Sequence, residues 1–157
     1  MTDLPLDHRL CRSGRCTIRR ASYRDLDTLV PLAAALRKSR GQLDHEPAMV
    51  RAQLERWLLA WGSRLIVVEV AGQTVGYCAY DACAARLLEI FVAEPYRGQG
   101  LGCELILFAE QDLLRSEVEL LRVEVGPDGE PARAFFAHLG YQPAAGAASC
   151  VALQKAL

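Results

Sequence analysis

The chain has 157 residues, 52% of them hydrophobic and 24% charged, which suits one domain with a sizeable core and leaves too little chain for two. Its 18 Lys+Arg and 19 Asp+Glu give a formal net charge of -1, so no global basic field draws nucleic acid or anionic lipid, and partner choice rests on local sites. No stretch approaches the ~18 apolar residues of a membrane helix, and Asp3, Asp7, His8 and Arg9 interrupt the first leucines where a secretion signal has an apolar centre. A cytoplasmic protein without membrane contact is the expectation.

Residues 1–15 show no clear period and read as a loose leader ahead of a single domain at 16–157. Arg9, Arg12, Arg15, Arg19, Arg20 and Arg24 make this end basic. With no aromatic stacking set beside them, they suit a solvated arm and strand better than an RNA surface, so nucleic acid is not an expected partner. Residues 16–21 predict a short strand, and Ser22 with Asp25 resembles a capped helix start. Leu26, Leu29, Val30, Ala33 and Leu36 then recur at helical steps, with Pro31 predicting a kink or a break into two short helices. Glu46 and Pro47 open a second helix whose Val50, Leu54, Trp57, Leu58 and Trp61 share a face, a spacing that points to core packing. Gly62 ends it.

The period then changes. Residues 65–70 and 74–80 are β-rich runs joined through Ala71, Gly72 and Gln73, a hairpin, and residues 86–92 add a third run after a short turn, giving an antiparallel meander. Glu94, Pro95 and Tyr96 close it. Leu101, Leu105, Phe108, Ala109, Leu113 and Leu114 form a broad helix face leading to a strand at 120–125, which makes a parallel, right-handed β-α-β unit. A helix at 131–139, a turn at Gly140 and strands around Tyr141 and 149–153 complete an α/β chain with a mixed sheet. The six cysteines read as free thiols in a chain this apolar. His8, Cys11, Cys16 and His45 lack zinc spacing, so no metal is expected.

The chemistry concentrates in Arg97-Gly98-Gln99-Gly100-Leu101-Gly102, between a strand and a long helix. Glycines at alternate positions remove Cβ atoms where a backbone turns sharply and nears a ligand. Helix-terminal amides there favour an anion such as a phosphate or pyrophosphate. The loop ends Gly102-Cys103-Glu104 without the Lys-Ser/Thr of an NTPase loop. Counted from Gly98, the sixth place is Cys103, against the glycine of a dinucleotide fingerprint. What remains, R/Q-x-x-G-x-G/A after a strand, resembles the GNAT superfamily of N-acetyltransferases. Residues 88–97 look like that family's fourth strand and 130–141 like its last helix and turn, and the resemblance covers nearly all of 16–157.

The resemblance implies a GNAT-like acyl-CoA N-acyltransferase fold in which the fourth and fifth strands splay and acetyl-CoA, the cosubstrate, sits in the gap. Its pyrophosphate would lie on the amides of Arg97, Gly98, Gln99, Gly100, Leu101 and Gly102. Its pantetheine would pair with the backbone near Phe91, Val92 and Ala93. An amine attacks only when neutral, and a lysine-like amine has a pKa near ~10.4, so a base must take its proton. Glu89, on the strand leading into the loop, is the candidate, with a structural salt bridge as the competing role. The Val92 N–H is expected to stabilise the oxyanion. Tyr80 and Asp81 are further candidates for the acceptor wall, beside the first two helices. Many family members carry a tyrosine as general acid where this chain has Phe136, and the asparagine often found after the fifth strand is missing from 126–129. The expected activity is N-acetylation of a primary amine on a small molecule or peptide. The alternative is a non-catalytic acyl-CoA-binding or sensing protein, and a homodimer is open to the chain, dimers being frequent among similar proteins.

Overall fold

A computed structural model describes residues 8–11, 14–126, 129–144 and 151–157. The strands are β1 His8–Leu10, β2 Thr17–Arg20, β3 Ser63–Val70, β4 Gln73–Asp81, β5 Arg86–Val92, β6 Leu120–Val125, β7 Gln142–Ala144 and β8 Val151–Ala156; the helices are α1 Leu26–Ser39, α2 Pro47–Leu59, α3 Leu101–Arg115 and α4 Glu130–His138. The strands form one sheet in the order β1-β2-β3-β4-β5-β6-β8-β7. All neighbours run antiparallel except β5 and β6, where α3 carries the chain back to the same end, as a β-α-β crossover requires.

Two cores sandwich this sheet. Leu26, Leu29, Ala33, Val50 and Leu54 of α1 and α2 pack with Val67, Tyr77, Ala79 and Phe91 on one face. Leu101, Leu105, Phe108 and Leu113 of α3 and Phe136 of α4 pack with Ile66, Cys78, Tyr80, Leu121 and Val123 on the other. The alternation of each strand thus splits its side chains between two helical layers. Ala71 (φ 50°) and Gly72 (φ 78°) make the β3–β4 turn, since left-handed central residues match the twist of a tight hairpin.

Several expectations change. Pro31 sits inside α1, which runs unbroken from Leu26 to Ser39. The proline lacks the N–H that would reach the Asp27 carbonyl, and Asp27 and Pro31 are both on the exposed face of the helix, where an unpaired carbonyl costs least. Trp61 is 93% exposed because α2 stops at Leu59 and the extended Ala60 carries the indole off the helical face; Trp57 alone of the two packs inward. Within the span read as a leader, His8–Leu10 pairs with β2. Cys11 and Cys16, read as free thiols, form a buried disulfide with Cα atoms 5.2 Å apart, a separation a disulfide spans. The last strand begins at Val151, and Ser149 and Cys150 of the expected strand lie outside the described residues. Two of the arginines near the N-terminus are structural: Arg19 pairs with Asp25 and Glu69, and Arg20 with Asp112.

Candidate active site

Strands β5 and β6 are joined only at their beginning, where Arg86 stands opposite Arg122 and the Arg122 N–H donates to the Ala85 carbonyl at 2.9 Å. Beyond that pair they diverge around a cavity of about 770 Å³. Leu87, Leu88, Glu89 and Ile90 form one wall and Val123, Glu124, Val125 and Gly126 the other; Phe135 and Phe136 of α4 close one end, Ser39, Arg40 and Gln42 the other. The opening runs through the sheet from the α4 side to the α1 side, a size and placement suited to a long, narrow ligand.

The backbone of β5 supplies polar edges. The Ala93 N–H donates to Val75 O at 2.8 Å, so by the alternation of an antiparallel ladder Phe91 and Ala93 face β4 while Ile90 and Val92 turn their amides toward the opening. Val92 is therefore the one residue of the expected trio whose backbone faces the gap, and Ile90 is its partner there. Gly76 permits this tight β4–β5 contact: a Cβ on it would lie 2.6 Å from the Phe91 carbonyl oxygen.

A 3-10 turn at Glu94–Tyr96 leads into the glycine loop. Arg97 does not extend toward a phosphate. Its N–H donates to Glu94 O at 3.2 Å, its Nε donates to Val92 O at 2.8 Å, and its guanidinium lies 5.2 Å from the Phe91 ring centroid. The bare, left-handed stretch of the loop thus begins at Gly98. Gly98 (φ 76°) and Gly100 (φ 80°) adopt left-handed dihedrals, with open space where a Cβ would stand. The first turn of α3 closes with Glu104 N–H on Gly100 O at 3.1 Å, leaving the N–H groups of Leu101, Gly102 and Cys103 ahead of it as helix-terminal donors. Gly102 has another role as well: a Cβ there would come within 3.3 Å of the Phe135 ring, so its bareness lets α4 close against the loop through a ring that also lines the cavity.

Glu89 lines the cavity on the α1 side of the sheet. It accepts a hydrogen bond from the Tyr77 hydroxyl at 2.6 Å, and its other oxygen lies 3.5 Å from Nη2 of Arg37, which is 4% exposed. Arg37 also donates to the Asp44 carbonyl at 3.2 Å and sits 3.6 Å from the Asp44 carboxylate. Burial, then the charge of Glu89, pushes the Tyr77 phenol well above its ordinary range, so the hydroxyl stays a donor. The ion pair with Arg37 is the structural role weighed for Glu89, and the same side chain lines the cavity. Sequence reasoning missed Arg37 and Tyr77. The signal was available, since Arg37 continues the buried stripe of Leu26, Leu29 and Ala33, a place where an arginine implies a buried anion.

Other candidates fall elsewhere. Tyr80 is fully buried on the α3 side, its hydroxyl donating to Asp112 at 2.7 Å, and Asp81 accepts from the Cys83 and Ala84 amides as a turn cap. Neither reaches the acceptor wall. Phe136 does line the cavity, in edge contact with Phe135 and Tyr141. The Tyr141 hydroxyl donates to Glu110 at 2.9 Å, and His138 is exposed, so neither replaces the phenol that Phe136 lacks. Among the described residues no three His, Cys, Asp or Glu side chains converge as a metal site, and no helix is long and apolar enough to cross a membrane.

Residues 30–141 match the model of the acetyltransferase (GNAT) family. No curated protein matches the chain. Among solved structures, the chain is similar to an acetyltransferase from Thermus thermophilus, with TM-score 0.79, 17% identity, and 91% of this chain and 97% of that one covered. It is similar to the PaiA N-acetyltransferase of Thermoplasma acidophilum in complex with coenzyme A, with TM-score 0.77, 16% identity, and 90% and 99% covered. A ribosomal-protein-alanine N-acetyltransferase from Brucella melitensis gives TM-score 0.69 at 20% identity, with 89% and 99% covered. At these identities the likeness concerns the fold.

Proposed function

Because the chain belongs to the GNAT family of acetyltransferases, we propose that it uses acetyl-CoA to acetylate a primary amine of a small molecule or peptide. The observation that carries this reading is a cavity lined by the Glu89 carboxylate and the free edge of β5, with a bare glycine turn and the helix-terminal amides of α3 following β5 along the chain. The residues present fit the cosubstrate: bare, left-handed Gly98 and Gly100 let the loop backbone approach a pyrophosphate, and the Ile90–Val92 edge offers an extended chain the pairing that β6 withholds. Arg97 must then release Val92 O, or the pantetheine must pair around it. Acetyl-CoA supplies the activated acetyl group.

The protein's own part is orientation and proton handling. Glu89, held by Tyr77 and Arg37, keeps an oxygen at the cavity wall where it takes the amine proton directly or through one water. The Val92 N–H is the donor best placed for a developing oxyanion. No phenol stands at Phe136 to protonate the departing sulfur. A cysteine-like thiol has a pKa near ~8.5, however, so it leaves as thiolate with little assistance.

The missing phenol is also what favours the second reading, an acyl-CoA-binding sensor. An amine panel monitored by release of free CoA separates the two. The transferase reading expects turnover with at least one amine class. Tight acetyl-CoA binding with no turnover on any amine, and activity only after Phe136→Tyr, would establish the sensor instead.

A further inference from the structure

The cavity end formed by α1 is chemically lopsided. Glu89 is already matched by the buried Arg37. Arg40, three residues on, also lines the opening, and among the described residues its guanidinium has no carboxylate partner. Its charge is felt at the site, since Arg37 and Arg40 both act to lower the pKa of the Tyr77 phenol against the rise imposed by burial and Glu89. The other lining groups at this end, Ser39 and Gln42, are neutral. The only other carboxylate lining the cavity among the described residues, Glu124, stands on the far wall in β6.

This arrangement discriminates among amines. A polyamine would bring a second cation against Arg40. An amine with a carboxylate a few bonds away would place its anion on the guanidinium fork, which matches a carboxylate in two hydrogen bonds, while its nitrogen reaches Glu89. One unengaged guanidinium suits a monoanion better than a doubly charged phosphate. We infer that the acceptor is a small amine that also carries a carboxylate, with Arg40 as the residue that selects it. This inference rests on the transferase reading above and adds the acceptor's chemical class.

The test compares kcat/KM for ω-amino acids of several chain lengths with their carboxamides, with diamines of the same length and with an aminoalkyl phosphate. The carboxylates are expected to exceed both the amides and the diamines by about tenfold or more, mainly through KM. Arg40→Gln should bring the acid-to-amide ratio close to one, and Arg40→Lys should restore part of it. Equal kcat/KM for acid and amide, a best substrate among the diamines or phosphates, or an Arg40→Gln variant that keeps the ratio would each overturn the inference while leaving the transferase reading standing. No turnover with any member of the panel would overturn the inference, and the transferase reading falls with it when peptide amines are not acetylated either.

Discussion

Replacing Glu89 by Gln removes one negative charge and almost no volume, which makes it the sharpest probe of the site. The carboxylate it removes accepts from Tyr77 at 2.6 Å and faces an arginine that is 4% exposed. Stripping one partner from a fully buried ion pair typically costs about 3–5 kcal/mol. Here Arg37 keeps the Asp44 carbonyl at 3.2 Å and its carboxylate at 3.6 Å, and the new amide oxygen still accepts from Tyr77, so the expected loss is about 1–3 kcal/mol. In a domain of this size that lowers Tm by roughly 3–10 °C. Activity should fall much further, by about 100-fold or more at neutral pH, as removal of a general base does. Tyr77→Phe keeps the charge and loses one hydrogen bond, so it should cost similar stability and far less rate. The assay is CoA release across pH beside thermal unfolding of each variant. A Glu89→Gln protein that melts lower yet turns over normally across the pH range would show that Glu89 only pins α1 to the sheet, and the proton-handling argument would fall.

Gly100→Val should leave the fold intact, since nothing lies within 4 Å of the new Cβ, at a cost of about 1–2 kcal/mol for its left-handed backbone, yet abolish CoA binding by calorimetry. Gly76→Ala, whose Cβ would press on the Phe91 carbonyl, should instead destabilise by about 1–3 kcal/mol in chemical denaturation. The hydrogen bond from Arg19 holds the Asp25 carboxyl below its ordinary range, so its stabilisation is complete above the unfolded pKa of ~3.9 and is lost as pH falls through the lower folded value; Asp25→Asn should flatten the acid limb of a stability-pH curve. Tyr77, Tyr80 and Tyr141 are pushed up by burial, then by Glu89, Asp112 and Glu110 respectively, so stability should hold below pH ~10 and decline above it, by up to about 1.4 kcal/mol per pH unit for each tyrosine. Peptide mapping after brief thiol alkylation should find exposed Cys83 labelled and buried Cys78, whose thiol burial also pushes up, protected.

The meander and the β-α-β crossover could be read in the sequence because their elements repeat one period long enough to identify a buried side, whereas β1 and the place of β8 between β6 and β7 could not. The strands at Arg86–Val92 and Leu120–Val125 fall where the apolar runs place them. The loop was readable too, as glycine spacing reports backbone dihedrals directly. The rest depends on which partner lies across space. Arg97 could as well reach for a ligand as fold back on Val92 O, and only the 3-10 turn before it decides. Trp61 continues an apolar stripe by spacing, but one residue of extended backbone at Ala60 turns it to solvent. Cys11 and Cys16 pair because β1 adds to the sheet edge beside β2, a pairing with no local period to announce it. Arg40 was silent for the same reason: an arginine just past a helix end reads as a solvated charge until the fold places it on the lining of the same cavity as Glu89.

The divergence of β5 from β6 also bears on how the molecule comes apart. Apart from the single pair at Arg86 and Arg122, no ladder carries cooperativity from the meander to β6, β8 and β7, and the two portions of sheet communicate through the side chains of α3 and α4 packed over them. Such a sheet behaves as two foldons sharing a strap, and the weaker one can open while the other stays protected. Amides of Ile90 and Val92, central in strand order, should then exchange hydrogen with solvent like those of an outer strand. A molecule lodged between the strands would supply the absent rungs, so occupancy would register as slowed exchange along both walls and as a merging of two opening events into one.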